Sequence, residues 1–456
     1  MKLMSRRARI LMAFSFLFAF GVVFFLFSYG GSAARWATYP ANRHLYKNGR
    51  LVNTGAIYDR RGETLLAVND SGRKYHKDAT TRRALMHLVG DSDGNVAASL
   101  QVSRSDALSG WNFFTGAYSY DASSGKDITV TVDAALCKLA YDQLDGRAGV
   151  VGVMNYHTGE VLCMTTSPSF DPEKPPDLSA PKYKDVYYNR MLSFSYAPGS
   201  IFKLVTAAAA IDCLPNAGGR VFTCDGRLPL PGGRITCMRA HGEQSLGQAL
   251  TNSCNIAFAT MAIEMGPDVL TRYARQAGIG DGGMRIDDIA VAGGSFDLSD
   301  ASAAEIGWAS VGQHTTQVNP LHFMQYVGSI AAGGRRVAPI VIRGVGSGFL
   351  DEPKVGLGRA AGDSLSKKTA DALKAMMRDN VINSYGEGKL AGYNLCAKTG
   401  TAEVGGGLED HSWFTGFLDS DKAPLCFIVL VENGGRGSGA AASIAKTVLA
   451  QAVKLM

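Results

Sequence analysis

The sequence carries little net charge outside its first residues, and it has no internal repeat and no glycine at every third position. The formal net charge is +6 over 456 residues, and four of the positive charges come from Lys2, Arg6, Arg7 and Arg9. The rest of the chain is therefore close to neutral, which excludes the strongly basic surface that nucleic-acid binding requires. With 46% hydrophobic and 19% charged residues, the chain is predicted to be globular rather than disordered or fibrous.

Metal-binding signatures are also lacking. None of the eight cysteines forms a CxxC pair, and the eight histidines include no HExxH motif, so the sequence indicates no metal ion and no cofactor. Eight cysteines are too few for a disulfide scaffold in a chain of this length. Cys224 and Cys237 flank a Gly- and Pro-rich loop and are the best candidates for one disulfide. The alternative is that the cysteines are small buried hydrophobic residues.

Residues 10–29 form an uncharged run of 20 residues near the N-terminus. At about 1.5 Å per residue, a helix of this length spans the hydrocarbon core of a bilayer, which is about 30 Å thick. A cleavable signal peptide is the alternative, but its apolar region is usually shorter. Because four basic residues precede the run, we expect residues 1–9 to be a cytoplasmic tail and residues 10–29 a single-pass anchor in the cell membrane. The remainder is then extracytoplasmic.

The rest of the chain divides by pattern into a mixed polar region, residues 30–127, and a larger domain, residues 128–456. The first region is short and suits a stalk or pedestal-like domain. In the second, apolar or alternating runs predict strands between residues 128 and 164 and again between residues 394 and 432, with helical patterns between them. These patterns predict an α+β domain, in which one antiparallel sheet is built from both ends of the segment and a helical subdomain lies in the middle.

Ser-x-x-Lys sequences recur along the chain, among them those that begin at Ser123, Ser179, Ser200, Ser364 and Ser443. The one at Ser200 follows a Pro-Gly turn and precedes a run that is apolar on all sides, so it is predicted to open a buried helix. Residues i and i+3 of a helix are neighbours, so the Lys203 amine can reach the Ser200 hydroxyl. Burial and the helix amino terminus lower the pKa of a lysine, which can then act as the base for a serine nucleophile. Ser443 also opens a predicted helix. Only its place in the order of the motifs along the chain, and the motifs that accompany it, argue against Ser443 as the nucleophile.

Two further motifs occur once each. Ser253-Cys254-Asn255 is the only Ser-x-Asn sequence; its hydroxyl suits proton relay and its amide suits orientation of a peptide carbonyl, although a polar position at a helix kink is the alternative. Lys398-Thr399-Gly400-Thr401 contains the only Lys-Thr-Gly sequence and ends an apolar strand. There Gly400 would let a ligand lie against the strand edge, and the other three residues would present a cation and two hydroxyls to an anion. The alternative is a plain strand end with an exposed lysine.

In this order, the three motifs resemble those of the penicillin-binding proteins and serine β-lactamases. Five more segments resemble class B penicillin-binding proteins, the monofunctional peptidoglycan D,D-transpeptidases: residues 55–67, 159–172, 189–200, 312–321 and 413–416. The resemblance implies the penicillin-binding/β-lactamase-like transpeptidase fold, with one N-terminal transmembrane helix and a small N-terminal domain. It also implies that peptidoglycan stem peptides are the substrates and that β-lactams acylate and inhibit the enzyme.

The resemblance gives the matching residues their roles. Ser200 attacks the carbonyl of the penultimate D-Ala and forms an acyl-enzyme with release of the terminal D-Ala. Lys203 takes the serine proton, and Ser253 passes a proton to the leaving amine. Asn255 holds the substrate backbone, and the segment from Lys398 to Thr401 recognises the terminal carboxylate. The backbone N–H groups at 200 and 401 form the oxyanion hole.

Two other classes of function stay open. A D,D-carboxypeptidase or a β-lactamase-like hydrolase would use the same fold, although a β-lactamase needs a base that activates water, and no residue can be assigned to that role. A non-enzymatic penicillin sensor or scaffold is the other class, although a tail of residues 1–9 leaves little room for signalling. The resemblance further implies a partner in the membrane, a glycan polymerase that consumes lipid II and docks on residues 10–29. No nucleic-acid partner is expected.

Overall fold

The computed structural model of the protein describes residues 2–37, 42, 46–47, 50–51, 55–69, 72–109, 125–177, 179–280, 283–287, 289–346, 358–437 and 439–456. Its first helix, α1 (Lys2–Ala37), contains the segment Arg6–Gly30, which is long and apolar enough to cross a membrane and is exposed. The predicted anchor lies within this segment, and its insertion in a membrane stays a prediction. Two short strands, β1 (Tyr46–Lys47) and β2 (Arg50–Leu51), follow as an antiparallel pair.

The later elements follow one another along the chain in three groups. The first group consists of β3 (Ile57–Tyr58), β4 (Thr64–Asn69), β5 (Gly72–Tyr75), α2 (Ala79–Val89), α3 (Leu100–Ser103), α4 (Ser105–Leu108), β6 (Asp127–Val130), α5 (Ala134–Leu144), β7 (Gly149–Asn155) and β8 (Val161–Ser167). The middle group consists of α6 (Arg190–Ser193), α7 (Lys203–Cys213), β9 (Phe222–Cys224), β10 (Arg227–Leu230), β11 (Gly233–Thr236), β12 (Gly242–Gln244), α8 (Leu246–Thr251), α9 (Asn255–Met265), α10 (Pro267–Gln276), β13 (Arg285–Ile286), β14 (Ile289–Ala290), α11 (Ala303–Ser310) and α12 (Pro320–Ala331). The last group consists of β15 (Arg335–Val337), β16 (Ile342–Gly346), β17 (Ala360–Asp363), α13 (Lys367–Asn380), β18 (Leu395–Ala402), β19 (His411–Leu418), β20 (Leu425–Val431) and α14 (Ala440–Ala452).

A five-stranded sheet in the order β18-β19-β20-β7-β8 forms the centre of the protein, and all its neighbouring strands are antiparallel. Every residue of β7, β8 and β20 is buried, which is the pattern of strands that are covered on both faces. Helix α12 is buried along its whole length and packs against β20, while α14 contacts β20 and also α5, which covers β8. Strands from both ends of the transpeptidase-like segment, residues 128–456, therefore form one antiparallel sheet, and most of the helices lie between these strands in the sequence. This confirms the predicted α+β architecture.

A second five-stranded sheet crosses the predicted domain boundary. Its order is β16-β6-β3-β4-β5, and β3 pairs with β6 in parallel. A Cβ at Gly55 would lie 2.1 Å from the Lys126 carbonyl oxygen, so glycine is needed where the chain enters this sheet. The Asp59 carboxylate accepts hydrogen bonds from the backbone N–H groups of Arg61, Glu63 and Ala134, which ties the segment to the start of α5. The boundary proposed at residue 128 thus falls inside β6, and the division into two domains stays a prediction.

The helical segment that contains the Ser-x-Asn motif is divided into two helices. A capping box of Ser245 and Gln248 starts α8, as short polar side chains do at helix N-termini. The chain then turns at Ser253, whose φ of 53° lies in the left-handed region, and α9 begins at Asn255. Cys254 caps α9, because its Sγ accepts a hydrogen bond of 3.4 Å from the Ala257 N–H. The Ser-x-Asn motif therefore forms the turn between two helices.

Candidate active site

The backbone around Ser200 is held tightly against β18. Gly199 has a φ of 54°, and a Cβ there would lie 2.2 Å from the Thr401 carbonyl oxygen. The Gly199 N–H donates to the Gly312 carbonyl at 2.9 Å, and the Trp413 indole N–H donates to the Ala197 carbonyl at 3.0 Å. Ser200 itself lies in a 3-10 turn, Gly199–Phe202, that leads into α7. Ser200 therefore lies in a 3-10 turn directly before α7, close to the predicted position at the amino end of a buried helix.

Lys203 lies fully buried beside the Ser200 hydroxyl. Its Nζ is 3.0 Å from Ser200 Oγ and 3.1 Å from Ser253 Oγ, and it lies 2.7 Å from both the Ser253 carbonyl oxygen and Asn255 Oδ1. Burial is the main reason why the pKa of Lys203 lies well below its usual value, and the positive charge of Lys398 lowers it further. Lys203 is therefore suited to be neutral while it contacts a serine hydroxyl, which is what a general base requires.

The Asn255 side chain is oriented by contacts on both of its polar atoms. Its Nδ2 donates to the Thr236 carbonyl at the end of β11 at 2.9 Å, while its Oδ1 faces Lys203. An amide nitrogen carries two N–H groups, so one of them is available to a ligand in the cleft. Ser253 and Asn255 thus both contact the lysine. The motif lies at a break between two helices, and its functional role stays a prediction.

The Lys-Thr-Gly motif lies on β18, at the edge of the central sheet. The Lys398 side chain is buried, and its Nζ lies 3.3 Å from Ser253 Oγ and 3.0 Å from the Thr399 carbonyl oxygen. The Thr401 hydroxyl accepts a hydrogen bond of 3.2 Å from the Gly437 N–H. Ser200, Ser253, Asn255, Thr399 and Thr401 line one cleft. The structure therefore brings the three motifs of the sequence together.

Gly400 has a different packing role from the one expected for it. A Cβ at this position would lie 2.6 Å from the Pro198 carbonyl oxygen and 3.0 Å from Ile201 Cγ2. The close approach that glycine allows here is that of the turn that carries Ser200, because only the absence of a side chain lets β18 and this turn meet. The approach of a ligand to Gly400 stays a prediction.

Ser443, the other candidate from the sequence, lies apart from the cleft. Its side chain is exposed on α14, and Lys446, its partner in the motif, donates a hydrogen bond of 2.7 Å to the Tyr385 carbonyl. Lys446 is therefore engaged elsewhere, and the geometry favours Ser200 over Ser443 as the nucleophile.

Comparison with known proteins identifies the family. Residues 149–450 match the family model of the penicillin-binding protein transpeptidase domain. The chain belongs to this family. The sequence is 27% identical over 374 residues to the peptidoglycan D,D-transpeptidase PbpA of Mycobacterium tuberculosis, with 75% of each chain covered. It is 26% identical over 370 residues to the peptidoglycan D,D-transpeptidase MrdA of Acinetobacter baumannii, with 72% of this chain and 54% of the relative covered. The predicted assignment to the class B penicillin-binding proteins is confirmed.

Solved structures agree with the family assignment. The imipenem acyl-enzyme complex of penicillin-binding protein A from M. tuberculosis superposes with a TM-score of 0.74 at 25% identity and covers 88% of this chain and 98% of its own. The predicted penicillin-binding fold is therefore confirmed.

Tyr385 is a residue of the transpeptidase site that the sequence did not reveal. It ends a π-helical turn, Val381–Tyr385, and its hydroxyl lies 2.7 Å from Thr399 Oγ1 and accepts a hydrogen bond of 3.2 Å from the Thr399 N–H. Burial raises the pKa of the Tyr385 phenol, but the Lys398 charge and the hydrogen bonds to Thr399 outweigh burial, so the pKa lies below its usual value. Tyr385 belongs to none of the three motifs, so the sequence carried no signal for it.

A group of cysteines beside the Ser-x-Asn motif was also missed. All eight cysteines carry free thiols, so the disulfide expected between Cys224 and Cys237 is not formed. Instead, the sulfur atoms of Cys224, Cys237 and Cys254 and a ring nitrogen of His241 all lie within 4.8 Å of one another. These are metal-ligating atom types, and no motif in the sequence marks them as a set. The signal in the sequence was the close spacing of Cys237 and His241, which is not a CxxC pair.

Proposed function

We propose that the protein is a serine-type peptidoglycan D,D-transpeptidase that cross-links stem peptides through an acyl-enzyme on Ser200. The observation that carries this proposal is the position of the buried Lys203 amine, 3.0 Å from Ser200 Oγ and 3.1 Å from Ser253 Oγ. The arrangement joins a nucleophile, a base with a lowered pKa and a second hydroxyl in one cleft. The names of the relatives agree with this reaction.

The first half-reaction forms the acyl-enzyme. Lys203 Nζ takes the Ser200 proton while Oγ attacks the carbonyl carbon of the penultimate D-Ala, and the electrons of the C=O bond move to its oxygen. The backbone N–H groups of Ser200 and Thr401 stabilise that oxyanion. Ser253 passes the proton from Lys203 to the nitrogen of the terminal D-Ala, the C–N bond breaks and D-Ala leaves. The 3.1 Å contact between Lys203 Nζ and Ser253 Oγ supports this relay.

The second half-reaction closes the cross-link. An amine of a neighbouring stem peptide attacks the ester carbonyl, loses its proton along the same relay, and displaces Ser200 Oγ, which regains a proton from Lys203. Water in place of the amine would give the carboxypeptidase or β-lactamase reaction. Among the described residues, the hydrogen-bond partners of Lys203 are two hydroxyls, a carbonyl and an amide, whereas the carboxylates that line the same cleft, Glu403 and Asp410, are not among these partners. This set of partners favours a long-lived acyl-enzyme, and therefore transfer to an amine.

The substrate lies along β18 in this proposal. The cation of Lys398 and the hydroxyls of Thr399 and Thr401 bind the terminal carboxylate, because charge-assisted hydrogen bonds are the strong contacts available to an anion. The free N–H of the Asn255 amide binds the peptide carbonyl. Gly400 contributes indirectly, since it allows β18 to approach the turn of Ser200. β-Lactams would occupy the same cleft and acylate Ser200.

The placement of the chain in the cell is part of the same proposal. Residues 1–9 form a cytoplasmic tail, residues 10–29 a single-pass anchor in the cell membrane, residues 30–127 a pedestal-like domain and residues 128–456 the extracytoplasmic transpeptidase domain. The exposed apolar segment Arg6–Gly30 supports the anchor, and the shared sheet supports a rigid join between pedestal and catalytic domain.

A membrane-embedded polymerase that consumes lipid II supplies the glycan strand and docks on the anchor. Unchanged co-purification after replacement of residues 10–29 by an unrelated anchor would contradict that docking.

Intact-mass analysis with benzylpenicillin tests the reaction centre. The wild-type protein should gain one penicilloyl group per chain, because the ring opens on Ser200 without loss of atoms. Ser200→Ala should gain none, while Ser443→Ala, the matched control from the second helix-initial motif, should label like the wild type. Circular dichroism and thermal unfolding verify that both variants are folded. Labelling of Ser200→Ala, or rapid release of the penicilloyl group from the wild type, would overturn the proposal.

A further inference from the structure

Four potential metal ligands converge beside the active-site cleft from four places in the chain. Cys224 ends β9, Cys237 follows β11, His241 precedes β12 and Cys254 caps α9. Cys237 Sγ lies 3.8 Å from Cys254 Sγ, and Cys224 Sγ lies 3.3 Å from His241 Nδ1. All four ligand atoms lie within 4.8 Å of one another. We refer to these four residues as the Cys3His cluster.

The spacing of these atoms matches a tetrahedral metal site. Zinc binds thiolate sulfur at about 2.3 Å and imidazole nitrogen at about 2.0–2.1 Å, so the edges of a tetrahedron around it are about 3.8 Å between two sulfurs and about 3.5 Å between sulfur and nitrogen. Within the Cys3His cluster, the sulfurs of Cys237 and Cys254 are 3.8 Å apart, and Cys224 Sγ lies 3.3 Å from His241 Nδ1. A disulfide would instead require about 2.05 Å between sulfurs. The cluster therefore has the dimensions of a zinc site and not those of a disulfide.

We propose that Cys224, Cys237, His241 and Cys254 bind one Zn²⁺ ion as a closed, four-coordinate structural site. Three thiolates and one imidazole are an established ligand set for structural zinc, and soft sulfur ligands disfavour magnesium and calcium. Because all four positions are filled by protein, the ion has no open position for a catalytic water. Zinc replaces the thiol protons, so binding releases up to three protons and leaves the imidazole neutral.

The backbone holds the cluster in place through contacts that do not involve the side chains of the ligands. Gly242 pairs with Cys224 in the β9–β12 ladder, and the His241 N–H donates to the Cys224 carbonyl at 3.0 Å. The Cys237 N–H donates to the Gly226 carbonyl at 3.1 Å. Cys224 and Cys254 are buried while Cys237 and His241 are partly exposed, so the site is enclosed by the fold and open to solvent on one side for loading.

A zinc ion at this position would fix the Ser-x-Asn turn. Cys254 is the middle residue of that motif, and Cys237 directly follows Thr236, whose carbonyl accepts the hydrogen bond from Asn255. The ion would tie the turn, with its left-handed Ser253, to the two small antiparallel sheets of the middle segment, β9–β12 and β10–β11. The Cys3His residues are thus positioning residues. Their effect on catalysis rests on the proposed function, whereas the metal site itself does not.

Metal content of the full-length protein tests the site directly. Protein purified in reductant, loaded with Zn²⁺ and passed through a desalting column should retain one zinc per chain by elemental analysis. Cys224→Ser and His241→Ala should lose it, and Cys213→Ser, which removes an exposed thiol outside the cluster, should keep it. Co²⁺ in place of zinc should give sulfur-to-metal charge-transfer bands and the intense visible bands of tetrahedral coordination. The cobalt spectrum needs no variant, so it stays informative if Cys224→Ser does not fold.

Three results would overturn the proposal. They are absence of retained zinc in reduced wild-type protein, retention of zinc in both cluster variants, and a cobalt complex without thiolate bands. A disulfide within the cluster in the protein as isolated from cells, detected by intact mass as the loss of two hydrogens, would also overturn it.

A second measurement separates the positioning role from the proposed reaction. Removal of zinc by a chelator in reductant should slow penicillin acylation at least tenfold, and re-addition of zinc should restore the rate. The pH profile of acylation should also change, since Ser253 and Asn255 both contact Lys203. Equal acylation rates with and without zinc would overturn the positioning role. Absence of acylation in both states would contradict the proposed function, while the zinc content would still support the site.

Discussion

The Lys398 ammonium donates a hydrogen bond of 3.3 Å to the Ser253 hydroxyl oxygen, which also lies 3.1 Å from the Lys203 amine nitrogen. One hydroxyl thus bridges two buried lysines that come from opposite ends of the transpeptidase domain. Because like charges repel at this distance, the positive charge of Lys398 is, after burial, the second cause of the lowered pKa of Lys203. The arrangement lets one lysine bind an anion while the other accepts a proton.

The first prediction concerns the pH dependence of acylation. Only neutral Lys203 can accept the serine proton, so acylation should fall as the pH drops through the lowered pKa of Lys203, and this acidic limb should lie well below the pH at which an ordinary lysine loses its proton. Lys398→Ala removes one cause of the lowering. The pKa of Lys203 should then rise, and the acidic limb of the profile should move to higher pH. Fluorescent-penicillin kinetics over a pH series measure this limb.

Lys454→Ala is the matched control for this shift, because Lys454 is exposed near the C-terminus and lies outside the cleft. It removes the same charge and should leave the limb in place. An acidic limb that does not move in Lys398→Ala would contradict the coupling of the two lysines.

The second prediction concerns the packing of Gly400. In Gly400→Ala the new Cβ would lie 2.6 Å from the Pro198 carbonyl, so the strand or the Ser200 turn must shift. Overpacking of this kind typically costs about 1–3 kcal/mol, and we expect loss of stability together with at least tenfold slower acylation. Gly218→Ala is the control, because its Cβ would have nothing within 4 Å. Chemical denaturation and acylation kinetics measure both effects, and a Gly400→Ala protein with normal acylation would contradict the role of this contact.

The third prediction concerns Tyr385. Tyr385→Phe removes the hydroxyl that holds Thr399 Oγ1 at 2.7 Å and accepts the Thr399 N–H. A hydrogen bond contributes about 0.5–1.5 kcal/mol, so we expect acylation efficiency to fall by about two- to tenfold, mainly through weaker binding of the carboxylate. Tyr188→Phe removes the hydroxyl of an exposed tyrosine and should have no effect. A larger loss for a substrate without the carboxylate than for one with it would contradict this explanation.

The sequence predicted the chemistry of the site better than its geometry. Ser200, Lys203, Ser253, Asn255 and the Lys398 motif were found because each motif is short, local and placed beside a recognisable helix or strand. Their convergence depends on long-range pairing, which no local pattern encodes. The break before α9 was anticipated only as the alternative of a helix kink, because the local pattern of residues 245–263 is helical and a left-handed Ser253 leaves no trace in helical periodicity.

Tyr385 and the Cys3His cluster were missed for a related physical reason. Their partners are brought close by the packing of separate elements, so no residue in the neighbouring sequence marks them. The same is true of Gly400, for which the sequence indicated the approach of a ligand but not the packing of β18 against the turn of Ser200. Alternation and apolar runs did predict the central sheet, because its strands need burial on both faces wherever they occur in the chain.

A buried ion pair connects the approach to the nucleophile with the end of β20. Arg190 Nε donates to Glu432 Oε1 at 2.8 Å, and the Tyr196 hydroxyl donates to the same oxygen at 2.9 Å. The Arg190 side chain is only 6% exposed, so its charge has little access to water. Removal of the acid from such a pair leaves an uncompensated buried charge, which typically costs about 3–5 kcal/mol.

The last prediction follows from this pair. Glu432→Ala should lower the free energy of unfolding by several kcal/mol, and the nearby turn at Tyr196 should loosen, so that acylation of Ser200 also slows. The pair Arg220–Glu264 offers a matched control, because its side chains are 32% and 43% exposed and such pairs contribute only about 0–1 kcal/mol. Glu264→Ala should therefore change neither stability nor acylation appreciably. Urea unfolding of the two variants measures the difference, and equal losses in both would mean that solvent screens the Arg190 charge as effectively as it screens Arg220.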